Sequence, residues 1–286
     1  MDSGEHIHTS NGAPGDALLA EAAMLRAHPA YAAALAAYTA GLVRFRQSSR
    51  LINKLSAHEV RFRVVGYLLH LSAVSRDEAR DGGVPYGRLH ELAVASGEVS
   101  PRVLKTMLAL MRLAGFVDSW RDAGDRRVTV YRPTDRMLGF ARQWFLHAAQ
   151  ALDRVDPSAC REARLAGDAA FLNRLLVTAG RDHADGPPAG RMPEFIAFFG
   201  GREGANAVVA RLLLAESGPA TVSSRAALAR EFWLSRTQVS DVIAEGVRIG
   251  YLDLDRRSLP TATDRLREQF ARWVSIELAF YARHMR

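Results

Sequence analysis

One pattern occurs twice in this chain, and it limits the fold more than any other feature. Residues 235–253 read SRTQVSDVIAEGVRIGYLD, and residues 100–118 read SPRVLKTMLALMRLAGFVD. A shift of 135 positions (235 minus 100) lays one on the other without a gap. Ser100 falls on Ser235, Leu104 on Val239, Leu108 on Ile243, Gly115 on Gly250, Phe116 on Tyr251 and Asp118 on Asp253. In each copy a serine able to accept hydrogen bonds from free backbone N–H groups opens the stretch. An apolar face at three- and four-residue spacing follows, and a glycine that tolerates left-handed backbone stops it. A short strand-like run comes next. Upstream, residues 224–234 supply a shorter amphipathic helix and a tight turn. Leu92-Ala93 matches Leu228-Ala229 there, with one extra residue in the first copy's turn. Each unit is helix, turn, helix, strand, and a unit found twice sets the architecture.

Composition bounds the rest. At 286 residues the chain accommodates two ordinary domains, and 48% hydrophobic with 24% charged residues is enough to build real cores. No segment has the uninterrupted apolar length of a membrane span. The start, MDSGEHIHTSNGAPGD, lacks the basic-then-apolar order of a secretory leader, so the cytoplasm is the expected compartment. A single cysteine, Cys160, excludes an intrachain disulfide and a cysteine-rich zinc site. A net charge of +7 and a pI near 10.0 permit nucleic-acid binding. Lysine occurs only at Lys54 and Lys105, so the charge is nearly all arginine in an alanine-rich chain, a bias that genome base composition also produces. Each repeated unit taken alone is only slightly positive.

Along the chain, residues 1–15 read as a disordered tail in which His6 and His8 have no structured context. Helices are expected over 16–27 and 29–47. The second carries Tyr31, Leu35, Tyr38, Leu42 and Phe45 as one apolar stripe seeking a partner helix, in this chain or on another subunit. The first unit then predicts helices over 58–74, 85–95 and 100–114, with Pro101 at a first-turn position that suits proline. A hairpin over 116–132 turns at Asp122-Ala-Gly-Asp125, and a long helix runs from 133 to about 152. A helix over 157–178 precedes the break at 185–190. The second unit predicts helices over 205–216, 224–232 and 235–249, a hairpin over 251–261 and a closing helix over 263–285. The expected division is 16–180 with a core unit at 58–135, a linker at 181–192, and 193–286 with a core unit at 204–262.

These residues carry a family likeness. LAREFWLSRTQVSDVIAEGVRIGYLD resembles the pattern of winged-helix repressors, GntR-type regulators included. The hairpin DAGDRRVTVYRPTDR and the ending LPTATDRL are similar to the wing and the wing-to-helix transition of MarR-type transcription regulators. The likeness covers about half of the chain. It implies a mainly α fold with small β-hairpin wings: tandem winged helix-turn-helix units joined by long helices. MarR-type proteins usually carry one unit per chain and pair as homodimers. Two units here imply an internal pseudo-dimer with 16–47, 133–180 and 263–285 as its helical interface, a homodimer being the alternative. The implied partner is double-stranded DNA.

On that reading, residues near the start of each second helix reach base edges, and nearby cations hold phosphates. The second copy offers Arg236, Thr237, Gln238 and Ser240, with Asp241 unfavourable beside phosphate. The first offers Arg102, Lys105 and Thr106, but Val103, Ala109 and Leu110 make that face apolar and equally suited to protein. The hairpins add Arg121, Arg126, Arg127 and Arg132, and Arg256 and Arg257, unless Asp122 and Asp125 neutralise the first set. Tyr31, Tyr38, Trp144, Phe145, Trp233 and Trp273 are candidate liners of a crevice that could take a small-molecule effector, with core packing the first reading for most of these rings. No phosphate-cradling glycine loop, nucleophile elbow or His-Glu-x-x-His occurs, and no cofactor or metal is expected. Asp182, His183 and Asp185 read as a loop rather than a ligand set. The rival to DNA binding is a winged-helix protein-interaction or chromosome-associated module without base reading.

Overall fold

Residues 14–51, 53, 58–78, 81–95, 99–185, 188–216 and 224–286 are described by the computed structural model. Helix α1 (Pro14–Ala27) and helix α2 (Tyr31–Gln47) come first, so Pro14 already belongs to a helix. His6 and His8 lie outside the described residues. The repeated pattern then becomes the same chain path twice. In the first pass α3 (Glu59–Asp77), β1 (Val84–Pro85), α4 (Tyr86–Ala95), α5 (Pro101–Leu113), β2 (Val117–Arg121), β3 (Thr129–Pro133) and α6 (Asp135–Val155) follow in order. Strands β2 and β3 pair antiparallel from Val117↔Pro133 to Arg121↔Thr129, and β1 adds to the far edge of β3. The second pass comprises α10 (Ala205–Glu216), α11 (Arg225–Glu231), α12 (Arg236–Arg248), β4 (Leu252–Leu254), β5 (Pro260–Ala262) and α13 (Asp264–His284). Its two strands pair from Leu252↔Ala262 to Leu254↔Pro260.

The two passes share a set of bonds at the junction between second helix, hairpin and long helix. Ser100 Oγ accepts from Val103 N–H and Ser235 Oγ from Gln238 N–H, and each cap opens a helix of 13 residues. Gly115 and Gly250 end those helices at φ +71° and +74°, where a side chain would be strained. The hydroxyl of Thr134 donates to Gly115 O, and that of Thr263 to Gly250 O, both at 2.9 Å. Arg136 donates to Ala114 O at 2.7 Å and Arg265 to Ile249 O at 2.8 Å, each satisfying a carbonyl at the helix end. Both guanidinium groups also lie over the following ring, Phe116 at 4.8 Å and Tyr251 at 5.0 Å. The Thr-Asp-Arg tripeptide therefore closes the preceding helix in the same way twice, and in each case a helix of 21 residues follows; Thr263 alone also caps that helix, accepting from Leu266 N–H at 3.2 Å.

Between the passes, the expected helix over 157–178 is three pieces. A 3₁₀ turn (Pro157–Ala159) leads to α7 (Arg161–Gly167) and then α8 (Ala169–Asp185). Two aspartates impose the breaks by giving the backbone local acceptors. The Asp153 carboxylate accepts from Arg161 and Glu162 N–H, and Asp168 Oδ1 accepts from Phe171 N–H. Helix α9 (Pro193–Phe199) then buries Phe195, Phe198 and Phe199.

The apolar stripe of α2 finds its partners inside the chain. It packs along α6, against α10 and on α13, burying Tyr31, Tyr38, Leu42 and Phe45. Gly41 allows the closest approach: a Cβ there would lie 2.4 Å from His147 Cβ on α6. Helix α1 lies on α13 and α3 on α8, and the Tyr31 hydroxyl donates to Ala271 O. One buried core therefore runs through both halves. The expected linker at 181–192 begins as the last turns of α8 and ends in a 3₁₀ turn (Pro188–Arg191) packed on α13. Among the described residues no helix is long and apolar enough to cross a membrane.

Candidate nucleic-acid interface and central cavity

The outward face of α12 follows from its capping. Gln238 Oε1 accepts from Ser235 N–H at 2.8 Å while Ser235 Oγ accepts from Gln238 N–H, so the carboxamide is half engaged in closing the helix. Arg236 and Thr237 are exposed beside it, and Ser240 is half-buried. Farther along, Glu245 is spent on Arg248 at 2.6 Å and Arg202 at 3.2 Å, which hold its carboxyl down to about 2. On α5, Arg102, Lys105 and Thr106 are exposed, and the Thr106 hydroxyl donates back to Arg102 O. Around them lie Val103, Leu110 and Leu113, the last 87% exposed.

The hairpin arginines escape the neutralisation weighed for them. Asp122 Oδ1 accepts from the backbone of Gly124 and Asp125, and Asp125 from that of Arg127. These carboxylates shape the turn and leave Arg126 and Arg127 exposed, with no acidic partner among the described residues. Arg121 reaches across to Arg127 O at 3.1 Å. Arg132 departs from the expectation, because it stacks over Trp120 at 5.0 Å and faces Asp81 at 3.8 Å. In the second hairpin Asp255 accepts from Arg257 and Leu259 N–H, so Arg256 and Arg257 project in the same way. Some arginines elsewhere are paired with acids, among them Arg61 with Glu203, Arg63 with Glu59, Arg211 with Glu231 and Arg267 with Glu216.

The six expected ring residues separate into three environments. Trp144 and Phe145 line a cavity of about 80 Å³ walled by α3, α6, α8 and α13, with Phe62, Phe140, Leu176 and Phe280. Trp144 and Trp273 line a neighbouring cavity of about 90 Å³, together with Arg46, Glu59, His183 and Glu277. Tyr38 is fully buried, edge-on to His147 and Trp273, and Tyr31 is tied to α13 by its hydroxyl. Both are core residues, since each hydroxyl or ring is engaged by a neighbouring helix. Trp233 lies in neither cavity: it is 43% exposed, two residues before the cap of α12.

Sequence reasoning missed the polar groups of the second cavity. Burial and the neighbouring Glu59 push the Glu277 carboxyl up to about 8, partly offset by the Trp273 indole. Burial and Arg63 pull His183 down to about 4, and burial pulls Arg46 down to about 9. At neutral pH the cavity therefore holds a protonated carboxyl, a neutral imidazole and a charged guanidinium between aromatic walls. The signal was present: Trp273, Glu277 and Phe280 share one face of the last helix, so an acid interrupts an apolar stripe. The same burial, with Arg46, drives His147 down to about 3.

The Cys160 thiol is exposed and donates to Pro157 O, whereas His147 is buried in the core. Among the described residues no cluster of three or more His, Cys, Asp or Glu could hold a metal ion. No protein-family model, curated protein or solved structure matches this chain.

Proposed function

We propose that this chain is a DNA-binding transcription regulator in which two winged helix-turn-helix units of MarR-like form act as an internal pseudo-dimer. Helices α5 and α12 enter successive major-groove segments, and the hairpins act as wings on the backbone. One observation carries the reading. The cations on these helices and hairpin tips, Arg102, Arg126, Arg127, Arg236, Arg256 and Arg257, are exposed, and none has an acidic partner among the described residues. Unpaired surface arginine attracts phosphate and base edges. In the same reading an effector occupies the aromatic cavities and shifts the spacing of the two units.

The test is binding to a labelled duplex from the protein's own upstream region, titrated with salt and nonspecific competitor. Binding that survives competitor and weakens steeply with salt is the expected result. Arg236→Ala should relax sequence preference, whereas Arg126→Ala should weaken all sequences alike. Binding abolished by competitor in every background would end the reading. One observation favours the protein-interaction alternative for the first unit: Val103, Leu110 and Leu113 form an exposed apolar strip on α5.

A further inference from the structure

Three helices in this chain end in the same cap, and one of them breaks the rule the other two obey. In each, the residue after the helix takes a left-handed backbone, donates to the carbonyl three residues back, and the next N–H reaches five residues back. Gly115 and Phe116 do this to Arg112 and Met111, at 3.0 and 2.9 Å. Gly250 and Tyr251 do it to Val247 and Gly246, at 3.1 and 2.8 Å. At the end of α11 the pair is Trp233 and Leu234, donating to Arg230 at 3.4 Å and Ala229 at 2.9 Å, with Trp233 at φ +52°. Glycine takes this conformation without strain, and a bulky aromatic residue is an outlier there. Packing does not compensate, because the indole is 43% exposed. Backbone outliers of this kind cluster at functional sites.

The surroundings of Trp233 state the chemistry. It stands as a ridge between two surface grooves of about 330 and 440 Å³, and Arg50 lines both. Arg230 and Arg236 line the second groove. None of the three guanidinium groups has an acidic partner among the described residues. The nearby acids are already engaged: Glu203 faces Arg61 at 3.2 Å, and Glu231 faces Arg211 at 2.9 Å. The result is an exposed aromatic side chain at the start of α12, flanked by arginines with no acidic partner among the described residues. Arg50 follows the end of α2, so the patch draws on the central helix as well as the second unit.

We propose that Trp233 is a DNA-contacting residue, its indole lying against a sugar and base edge beside the base-reading Arg236, while Arg50 and Arg230 hold the phosphates on either side. The proposal rests on the DNA-binding reading and adds to it a contact that is apolar and independent of charge. Apolar contacts of this kind meet thymine methyl groups and sugars in the groove, whereas Arg50 and Arg230 contribute charge to phosphate.

The experiment compares wild type with Trp233→Gly and Trp233→Asn, both residues suited to left-handed backbone, on the upstream duplex. Both variants should melt about 2–4 °C higher through relief of strain. Both should bind DNA at least about tenfold more weakly, with an unchanged slope of affinity against salt. Arg230→Ala should instead lower that slope by about one. Wild-type indole emission should change on DNA binding, and the change should vanish in the glycine variant. Unchanged affinity in both variants overturns the contact and leaves the DNA reading standing. A midpoint that falls in both overturns it by making the indole a packing group. A wild-type chain that binds no duplex overturns both, and the patch would then be a protein-docking surface.

Discussion

The first unit and the second share their joints and differ in their faces. Serine cap, left-handed glycine, threonine bridge and arginine clamp recur at matched positions with matched distances. The outward residues do not recur. Helix α5 presents Val103, Leu110 and Leu113 at the positions where α12 carries Gln238, Glu245 and Arg248. Residues that hold the chain path are constrained by backbone geometry, which is the same in both copies. Residues on the outer face answer only to what they touch. A duplicated unit with one preserved skeleton and two different faces is therefore suited to two different contacts.

The largest expected difference lies in the paired 21-residue helices, where α13 buries an acid, Glu277, and α6 a histidine, His147. The Glu277 carboxyl, raised to about 8, keeps a proton in the folded state that the unfolded chain has lost above its ordinary value. Stability from this group is full at low pH, falls as pH rises, and levels off above about 8. His147, lowered to about 3, works the other way: the unfolded chain binds the extra proton, so stability rises from about pH 3 to the ordinary histidine range. The stability difference between wild type and Glu277→Gln should shift by about 2 kcal/mol against wild type between about pH 6.5 and 8, as read by urea unfolding at a series of pH values. A parallel decline in both proteins would remove Glu277 as its source.

Next in size is the functional asymmetry. Arg236→Ala should cost about 1–3 kcal/mol of specific binding, and Arg102→Ala under about 1 kcal/mol, in the duplex titration. Equal losses would mean that both faces read bases and that the apolar strip on α5 is incidental.

The shared joints give a smaller effect that should be symmetric. Gly115→Ala and Gly250→Ala should each destabilise by about 1–2 kcal/mol, because the left-handed backbone strains any side chain. Space is not the cause, since a Cβ at either site would meet only an arginine Nη1 at 3.7 Å. Unequal costs would break the equivalence of the two joints. The smallest effect concerns the strip itself: Leu113→Glu should change stability by less than about 0.5 kcal/mol, as for other exposed positions. If α5 docks on protein, the same substitution should abolish any self-association seen by sedimentation while leaving duplex affinity unchanged.

Much of the chain path was legible because its signals are local. The caps at Ser100 and Ser235, the stops at Gly115 and Gly250 and the Thr-Asp-Arg starts each act within a few residues, and the helices and hairpins they bound lie where the pattern places them. The region after 153 was less legible, because Asp153 and Asp168 break it through side-chain acceptors that leave no periodic trace. The candidate interface was half legible. Residue type marked Arg126, Arg236 and Arg257, but whether an arginine is free depends on which acids fold beside it, and Arg132 was taken by Asp81 and Trp120.

The amino-acid sequence alone determined the duplication, the element order and the positions of the joints, since capping and left-handed turns are decided by a residue and its near neighbours. Tertiary structure alone decided that α2 joins both halves into one core and that Glu277, Arg46 and His183 face an aromatic cavity. It also decided that Trp233 stands exposed in a strained turn between arginines. Those facts depend on which distant side chains surround a residue, and that environment exists only once the chain has packed.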